Sequence, residues 1–460
     1  MATEPAPFRM TKKDRRRNMS LVFWVGSLAI FSATIIAPNI LSLLALKLGA
    51  GEVWLGLIQT VTLAPVVFSF LAMSAVERYG KRRILLFCHT AAMLCAIPFL
   101  WLPGYAQRAG AEASLFWLIV NLSLVRFFAS MGFAGWFPIL QDIAPPRLTG
   151  RFFANFRMTW QTVTLVLLLS IAWFLGRDPD WWKFQGLFAL VLVTYVLRVF
   201  CLLPLTERPL PPDRSERSSM IQLIGEFWQQ PGARKLLGYL LAYGLAFTLS
   251  EPFKIKLLKD QGCSEGFILA ALAMVNLGAM LTLRIWGRLA DRFGNRHIFS
   301  ISHIGMIVVS LGWVLVVPNL FGSILAFVLY FIGSIFISGN GIAQTRYILH
   351  TVSPDKQSQI TIANTMFVLA CGVSPLLGAG LLKLMEGQVS LQLGLLQFDH
   401  YDLLFVIAAL LFLLPHRLRK GLGLKKDTPT LHVVVFVLRP LVNLFGPFAR
   451  FGNNRKSRDN

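Results

Sequence analysis

A chain of 460 residues that is 55% hydrophobic and 12% aromatic, with only 14% charged residues, is too apolar for an ordinary soluble domain. Its formal charge of +22 would suggest nucleic-acid binding in a soluble protein. Here the basic residues gather in short loops between apolar runs, which fits retention of Lys and Arg on the cytoplasmic face and points to the lipid bilayer, not nucleic acid, as partner.

The N-terminal basic segment, 1–19, carries Arg15-Arg16-Arg17, and the apolar run after it is too long for a secretory signal. Crossing a bilayer core takes about 20 apolar residues in a helix, whose backbone groups satisfy one another. Twelve runs qualify: 20–46, 53–75, 84–103, 114–140, 153–175, 184–205, 236–258, 266–286, 298–317, 320–343, 358–383 and 399–415. They are called spans 1 to 12 below. The polar stretch 206–235 divides them six and six, giving an N-terminal bundle over 20–205 and a C-terminal bundle over 236–415. Within it, Met220, Leu223, Ile224, Phe227 and Trp228 recur at helical spacing and predict a short amphipathic helix on the membrane surface.

The tail, 416–460, is basic and carries a second amphipathic signal. His432, Arg439, Asn443 and Arg450 share one helix face in an otherwise apolar stretch. Arg439 and Pro440 at its centre favour an interfacial helix, with a thirteenth span as the alternative. If the N-terminus is cytoplasmic, 35 Lys/Arg and 12 Asp/Glu lie inside against 8 and 10 outside, with Arg126 in the membrane. Both termini are then cytoplasmic, and a cell inner or plasma membrane is expected.

Two of the inner loops are copies. Glu77-Arg78-Tyr79-Gly80-Lys81-Arg82-Arg83 returns 214 positions later as Asp291-Arg292-Phe293-Gly294-Asn295-Arg296-His297, and Pro145 with Ala154-Asn155 returns at an offset of 209 as Pro354 with Ala363-Asn364. The fold class expected is an all-α integral membrane protein with 12 transmembrane helices in two pseudo-symmetric six-helix bundles.

At these loops the sequence resembles the major facilitator superfamily of secondary transporters. That family's signature, approximately G-x-L-a-D-R-x-G-R-R, is followed closely by Gly287-Arg288-Leu289-Ala290-Asp291-Arg292-Phe293-Gly294-Asn295-Arg296, and loosely by the first copy, where Met73 stands for the leading Gly and Glu77 for Asp. The resemblance implies that the loops act as conformational latches between the halves: Glu77, Arg78, Gly80 and Arg82, with Asp142 as partner for Arg82, and Gly287, Asp291, Arg292, Gly294 and Arg296. It also implies that Arg126-Phe127-Phe128-Ala129-Ser130-Met131-Gly132 corresponds to the Arg-bearing motif of proton-coupled antiporters, with Ser130 in place of a glycine.

A carrier of this kind holds its substrate between the repeats near mid-bilayer, where polar side chains are otherwise penalised. Arg126 with Ser130, Asn39, Asn276, Asn340 and Asn364 are the candidates there. Glu251 and Lys254 share a face in span 7, either as coupling or substrate groups or as an ion pair at the outer mouth, with Pro252 bending the helix. Arg126 and Lys254 favour an anionic or zwitterionic small-molecule substrate; the Phe and Trp content favours amphiphiles. His89 and His303 stand alone and read as locally hydrogen-bonded core residues. The five cysteines, unpaired in spacing, read as buried hydrophobes.

No metal site, phosphate loop or nucleophile–base pair is visible, so neither an enzyme nor a cofactor is expected. The leading function is a secondary active transporter working by alternating access, with proton or sodium coupling, direction and oligomeric state left open. The alternative is a non-transporting scaffold or sensor that keeps the carrier fold.

Overall fold

The computed structural model describes residues 12–143, 149–207, 220–351, 357–386, 391–393 and 396–422. The tail helix expected around Arg439 lies outside them. The architecture is a helical bundle in which eleven helical stretches among the described residues are long and apolar enough to cross a membrane. Span 2, expected at 53–75, falls short of that measure as an uninterrupted apolar helix. It is built from Glu52–Leu63, a 3-10 turn at Ala64–Phe68 and Ser69–Tyr79. Pro65, which has no N–H to donate and clashes with the preceding turn, accounts for the tightening.

Proline sets the same kind of break elsewhere. Span 1 comprises Lys12–Ile35 and Pro38–Lys47, and span 7 comprises Pro231–Thr248 and Glu251–Asp260 with Pro252 in the first turn of its second piece. In span 1 the chain bridges the gap with Ala37 N–H donating to the Thr34 carbonyl at 3.2 Å, an i−3 bond that replaces the one Pro38 cannot make. Pro38 and Pro252 stand 214 positions apart, the offset of the copied loops, so the first helix of each bundle is broken at the same place. Span 11, Gln357–Met385, by contrast runs through Pro375 without a break.

The remaining spans are Lys81–Ala109 (interrupted at Ile97–Trp101), Ala111–Ile143, Thr149–Leu175, Trp181–Leu202, Glu265–Phe293, Asn295–Leu315, Leu320–Thr351 and His400–Leu422. The linker carries a helix at Met220–Gln229, whose Phe227 is fully buried against the second bundle while Trp228 stays exposed. Two short antiparallel strands, Leu391–Leu393 and Leu396–Phe398, were not foreseen. Their Leu-Gln-Leu and Leu-Gln-Phe alternation is the period-two signal of a strand, hidden between much stronger apolar runs. Outward-facing apolar side chains such as Trp173 and Leu320, 86% and 77% exposed, form the lipid-facing belt.

Both described chain ends lie at one end of the bundle, here called the terminal face; the opposite end is the distal face. The two halves are joined tightly at the distal face. Span 2 meets span 11 where a Cβ on Gly56 would come within 3.0 Å of the Pro375 carbonyl, and Thr60 donates to the Gly372 carbonyl at 2.6 Å. Span 8 meets span 5 still more closely: a Cβ on Gly266 would lie 2.5 Å from the Ala172 carbonyl, and Gly266 N–H donates to the Gly176 carbonyl at 2.7 Å.

Charges tie the same end. Lys256 reaches Asp260 at 2.8 Å and, across the halves, Glu52 at 3.4 Å, while Tyr401 donates toward both carboxylates. Glu265 pairs with Lys259 at 2.5 Å and accepts from the Asp178 amide at 3.0 Å, and Asp178 in turn pairs with Lys47. Partly exposed pairs of this kind contribute under about 1 kcal/mol each. Lys256→Gln is therefore expected to lower the distal-closed population by no more than about fivefold, read as a broadened distance distribution between spin labels on spans 2 and 7.

At the terminal face the polar contacts named here, among the described residues, stay within each half. Asn18 donates to the Thr206 carbonyl at 3.0 Å, and Tyr347 donates to the Leu422 carbonyl at 2.7 Å. Phe70 and Met73 of span 2 do touch the core of the second half.

Candidate functional site

Arg126 lies midway along span 4, half-buried, with its guanidinium donating to the Ile36 carbonyl at 2.6 Å. That carbonyl sits at the break in span 1, just ahead of Pro38. The first helical piece ends at Ile35 and the second begins at Pro38, so the Ile36 carbonyl lies between the two ladders and is open to a side chain from another helix.

A second guanidinium stands beside it. Arg198 of span 6 is half-buried, contacts His89 Nε2 of span 3, and donates to Ser32 Oγ of span 1 at 3.3 Å. The charge count above places Arg198 among the cytoplasmic cations; the structure turns it the other way. Helical side chains point toward the helix N-terminus, and span 6 runs from the distal to the terminal face, so Arg198 reaches inward. Ser32 lies 14 residues above Asn18, about 21 Å of helix, whereas Asn18 is itself bonded to Thr206 at the terminal face.

Tyr195, one turn before Arg198 and buried, lies within electrostatic reach of both guanidiniums, and the Arg198 guanidinium sits 5.4 Å from its ring centroid. An arginine carries no acceptor, so His89 must accept at Nε2 and is neutral, with its proton on Nδ1. The cluster is thus two cations held by a carbonyl, a hydroxyl and a neutral imidazole. Among the described residues no carboxylate pairs with either.

The second half builds a polar cluster of different character. Tyr239 donates to Asn340 at 2.8 Å and meets His303 at 3.1 Å, and Asn340 donates to Gln344 at 3.4 Å, all buried. His303 stands 214 positions after His89, so the two histidines occupy equivalent places in the duplication. Asn340 therefore belongs to the interior of its own bundle. Asn340→Leu leaves the Tyr239 hydroxyl short of an acceptor and should cost about 1–3 kcal/mol, seen as a lower unfolding midpoint of the purified protein.

The other expected site residues are dispersed. Lys254 is buried and bonded to Glu251 at 2.5 Å, with the Trp313 ring 5.4 Å from its Nζ, which makes the pair self-neutralising. Asn39 is half-buried immediately after the span 1 break, Ser130 and Asn276 are half-buried in spans 4 and 8, and Asn364 is exposed on span 11. Among the described residues, none of these four is bonded to Arg126.

The loop residues are anchored inside their own halves. Arg82 donates through its guanidinium to the Leu203 carbonyl and through its amide to Glu207 at 2.8 Å, and a Cβ on Gly80, at φ +95°, would collide with Glu207. The side chains of Glu77 and Asp142 lie outside the described residues, so the expected Arg82–Asp142 partnership is not among the contacts here. Arg78 and Arg292 are exposed, each guanidinium over the neighbouring aromatic ring. In the second copy Asp291 pairs with Arg346 of span 10, Gly294 turns at φ +78°, Arg296 is half-buried near Arg419, and Gly287 has open space around it.

Sequence reasoning missed Arg198, Tyr195, Arg346 and the distal charges. A cation three residues after a tyrosine inside an apolar run, and the 214-residue spacing of the two histidines, were the available signals for the first cluster.

With this geometry in place, the family model of the Major Facilitator Superfamily matches residues 22–375, more than half of the sequence. The chain belongs to the Major Facilitator Superfamily. Solved structures of the superfamily fold superpose over nearly the whole chain. A bacterial homolog of the human lysosomal transporter Spinster, inward-facing and occupied, is 13% identical with a TM-score of 0.68, covering 90% of this chain and 98% of that one. The nucleoside transporter NupG is 13% identical with a TM-score of 0.63, covering 90% and 100%. The E. coli xylose transporter XylE, partially occluded and inward open, is 11% identical with a TM-score of 0.64, covering 91% and 100%. No curated protein matches the sequence. At these identities the likeness establishes the fold alone and leaves the substrate to be argued from this chain's own residues.

Proposed function

We propose that this superfamily member is a secondary active transporter that moves a small solute by alternating access, with Arg126 contacting the solute. The carrying observation is the asymmetric closure of the two halves: they are knit by glycine contacts and ion pairs at the distal face, whereas among the described residues the polar contacts named at the terminal face lie within each half. Rocking about such an arrangement exposes a mid-depth site first to one side and then to the other. Bundles at 20–205 and 236–415 are the moving parts, and the linker at 206–235 joins them on the cytoplasmic side.

With both termini cytoplasmic in a cell inner or plasma membrane, as the Lys/Arg asymmetry favours, the state described here is closed to the outside. The paired loops then brace each half on the cytoplasmic side, and the latch between halves forms in the opposite state. Proton coupling is the first to test, since the antiporter-like surroundings of Arg126 favour it over sodium.

Purified protein in liposomes loaded with a broad metabolite set should show counterflow of at least one solute, faster under an imposed proton gradient. Complete absence of accumulation and counterflow under every ion gradient sinks the carrier reading in favour of a scaffold or sensor.

A further inference from the structure

We infer that Arg126 and Arg198 together form an oxyanion site inside the first bundle, one that takes a carboxylate or phosphate group. This rests on the carrier reading above, whose site it specifies. Three observations carry it. Both guanidiniums lie at mid-depth, anchored on Ser32 and Ile36 of the same helix, four residues and therefore about 6 Å apart. Both remain half-buried, not sealed, and the buried Nε of each has no hydrogen-bond partner among the described residues. Among the described residues, every group in contact with them is a neutral acceptor or an aromatic ring, so the cluster carries two positive charges that no described carboxylate offsets.

A structural explanation accounts for these charges less well. Cations near a membrane surface reach toward water, whereas Arg198 reaches away from the nearer face. The duplicated fold has no need of a cation at Arg126 either. By the 209-residue offset shared by Pro145 and Pro354 and by the starts of spans 4 and 10, its counterpart is Ile335, which packs against the core of the second half. The other membrane-embedded cation in the candidate set, Lys254, is already matched by Glu251.

Guanidinium forks bind carboxylate and phosphate oxygens through paired, charge-assisted hydrogen bonds. An oxyanion between Arg126 and Arg198 would engage their unpartnered N–H groups, with the hydroxyl of Tyr195, whose ring lies against Arg198, as a further donor. His89, neutral and accepting, positions Arg198 without competing for the anion.

The test measures binding separately from transport. Purified full-length protein is titrated with succinate, glycerol 3-phosphate and inorganic phosphate, each against a neutral analogue (succinamide, glycerol) at constant ionic strength, and the thermal unfolding midpoint is followed. At least one anion should raise the midpoint while its neutral analogue does not. Arg126→Gln and Arg198→Gln should each weaken that anion at least about tenfold, the loss of one charge-assisted contact, and Arg198→Lys should recover part of it. A parallel arm in phosphatidylglycerol and phosphatidylcholine nanodiscs separates sources. Stabilisation by phosphatidylglycerol that is lost in Arg198→Gln assigns the oxyanion to a lipid headgroup, and stabilisation by the soluble anions in phosphatidylcholine assigns it to a solute.

No stabilisation by any of these anions, or an unchanged anion affinity in Arg198→Gln, overturns the site. Counterflow of a neutral solute with no anion binding removes the site and leaves the carrier reading standing. Anion binding with no flux of any solute does the reverse.

Discussion

Arg126→Ala is expected to abolish solute counterflow, by at least about a hundredfold, while membrane insertion and yield stay close to those of the parent protein. The magnitude follows from the loss of two or more charge-assisted hydrogen bonds to a buried ligand, each about 1.5–3 kcal/mol, against about 1.4 kcal/mol per tenfold in rate. Folding should tolerate the change, because the Ile36 carbonyl that loses its donor lies at a helix break beside a half-buried, polar cluster, where water can replace the guanidinium. Arg126→Lys separates charge from shape: a lysine keeps the cation but loses the fork, so it should bind anions weakly and transport slowly. Uptake at the parental rate by Arg126→Ala would take this residue out of the site.

The second large effect concerns motion. Gly266→Val places a Cβ where only 2.5 Å separates it from the Ala172 carbonyl, and that neighbour is backbone in a packed helix. Spans 5 and 8 must part before the side chain fits, and overpacking of this kind costs about 1–3 kcal/mol. The penalty falls on the distal-closed state, because the contact crosses between the halves. Its population should fall by about five- to a hundredfold, and transport should slow accordingly. Spin labels on spans 5 and 8 would register the separation directly. Gly238→Ala in span 7, where a Cβ meets nothing within 4 Å, is the matched control and should leave the distance distribution unchanged. Identical distributions in both variants would remove the distal contact from the transport cycle.

Much of the fold is legible in the chain because a bilayer enforces it. Apolar runs of helical length, a polar linker and copied basic loops determine the count and order of the helices nearly completely. Pro252 announces the break in span 7, and the same reading applied to Pro38 and Pro65 would have marked the interruptions in spans 1 and 2. The site is less legible, for two physical reasons. Arg198 sits in a run apolar enough to qualify as a span, and sequence alone does not say which way a long side chain points along its helix. The pairing of Lys254 with Glu251 follows from their i,i+3 spacing, but Asn340 with Tyr239 and Asp291 with Arg346 join different helices and emerge only once the bundle is assembled.

Loop residues give the opposite lesson. Gly80 and Gly294 are readable because a left-handed turn needs glycine. What the neighbouring arginines hold depends on the conformational state. In the state described, Arg82 grips the end of span 6 and Asp291 grips span 10, each within its own half.

The two guanidiniums of the first bundle have an electrical consequence. A unit charge carried across the full membrane potential is worth about 2.3 kcal/mol per 100 mV, and whatever fraction of the field Arg126 and Arg198 cross as the bundles rock is weighted by two charges. Filled with a doubly charged anion, the cluster is neutral and its passage is indifferent to voltage. Empty, it is not. The resting potential of the cell would then bias where the unloaded protein waits, placing control of the cycle on the return step.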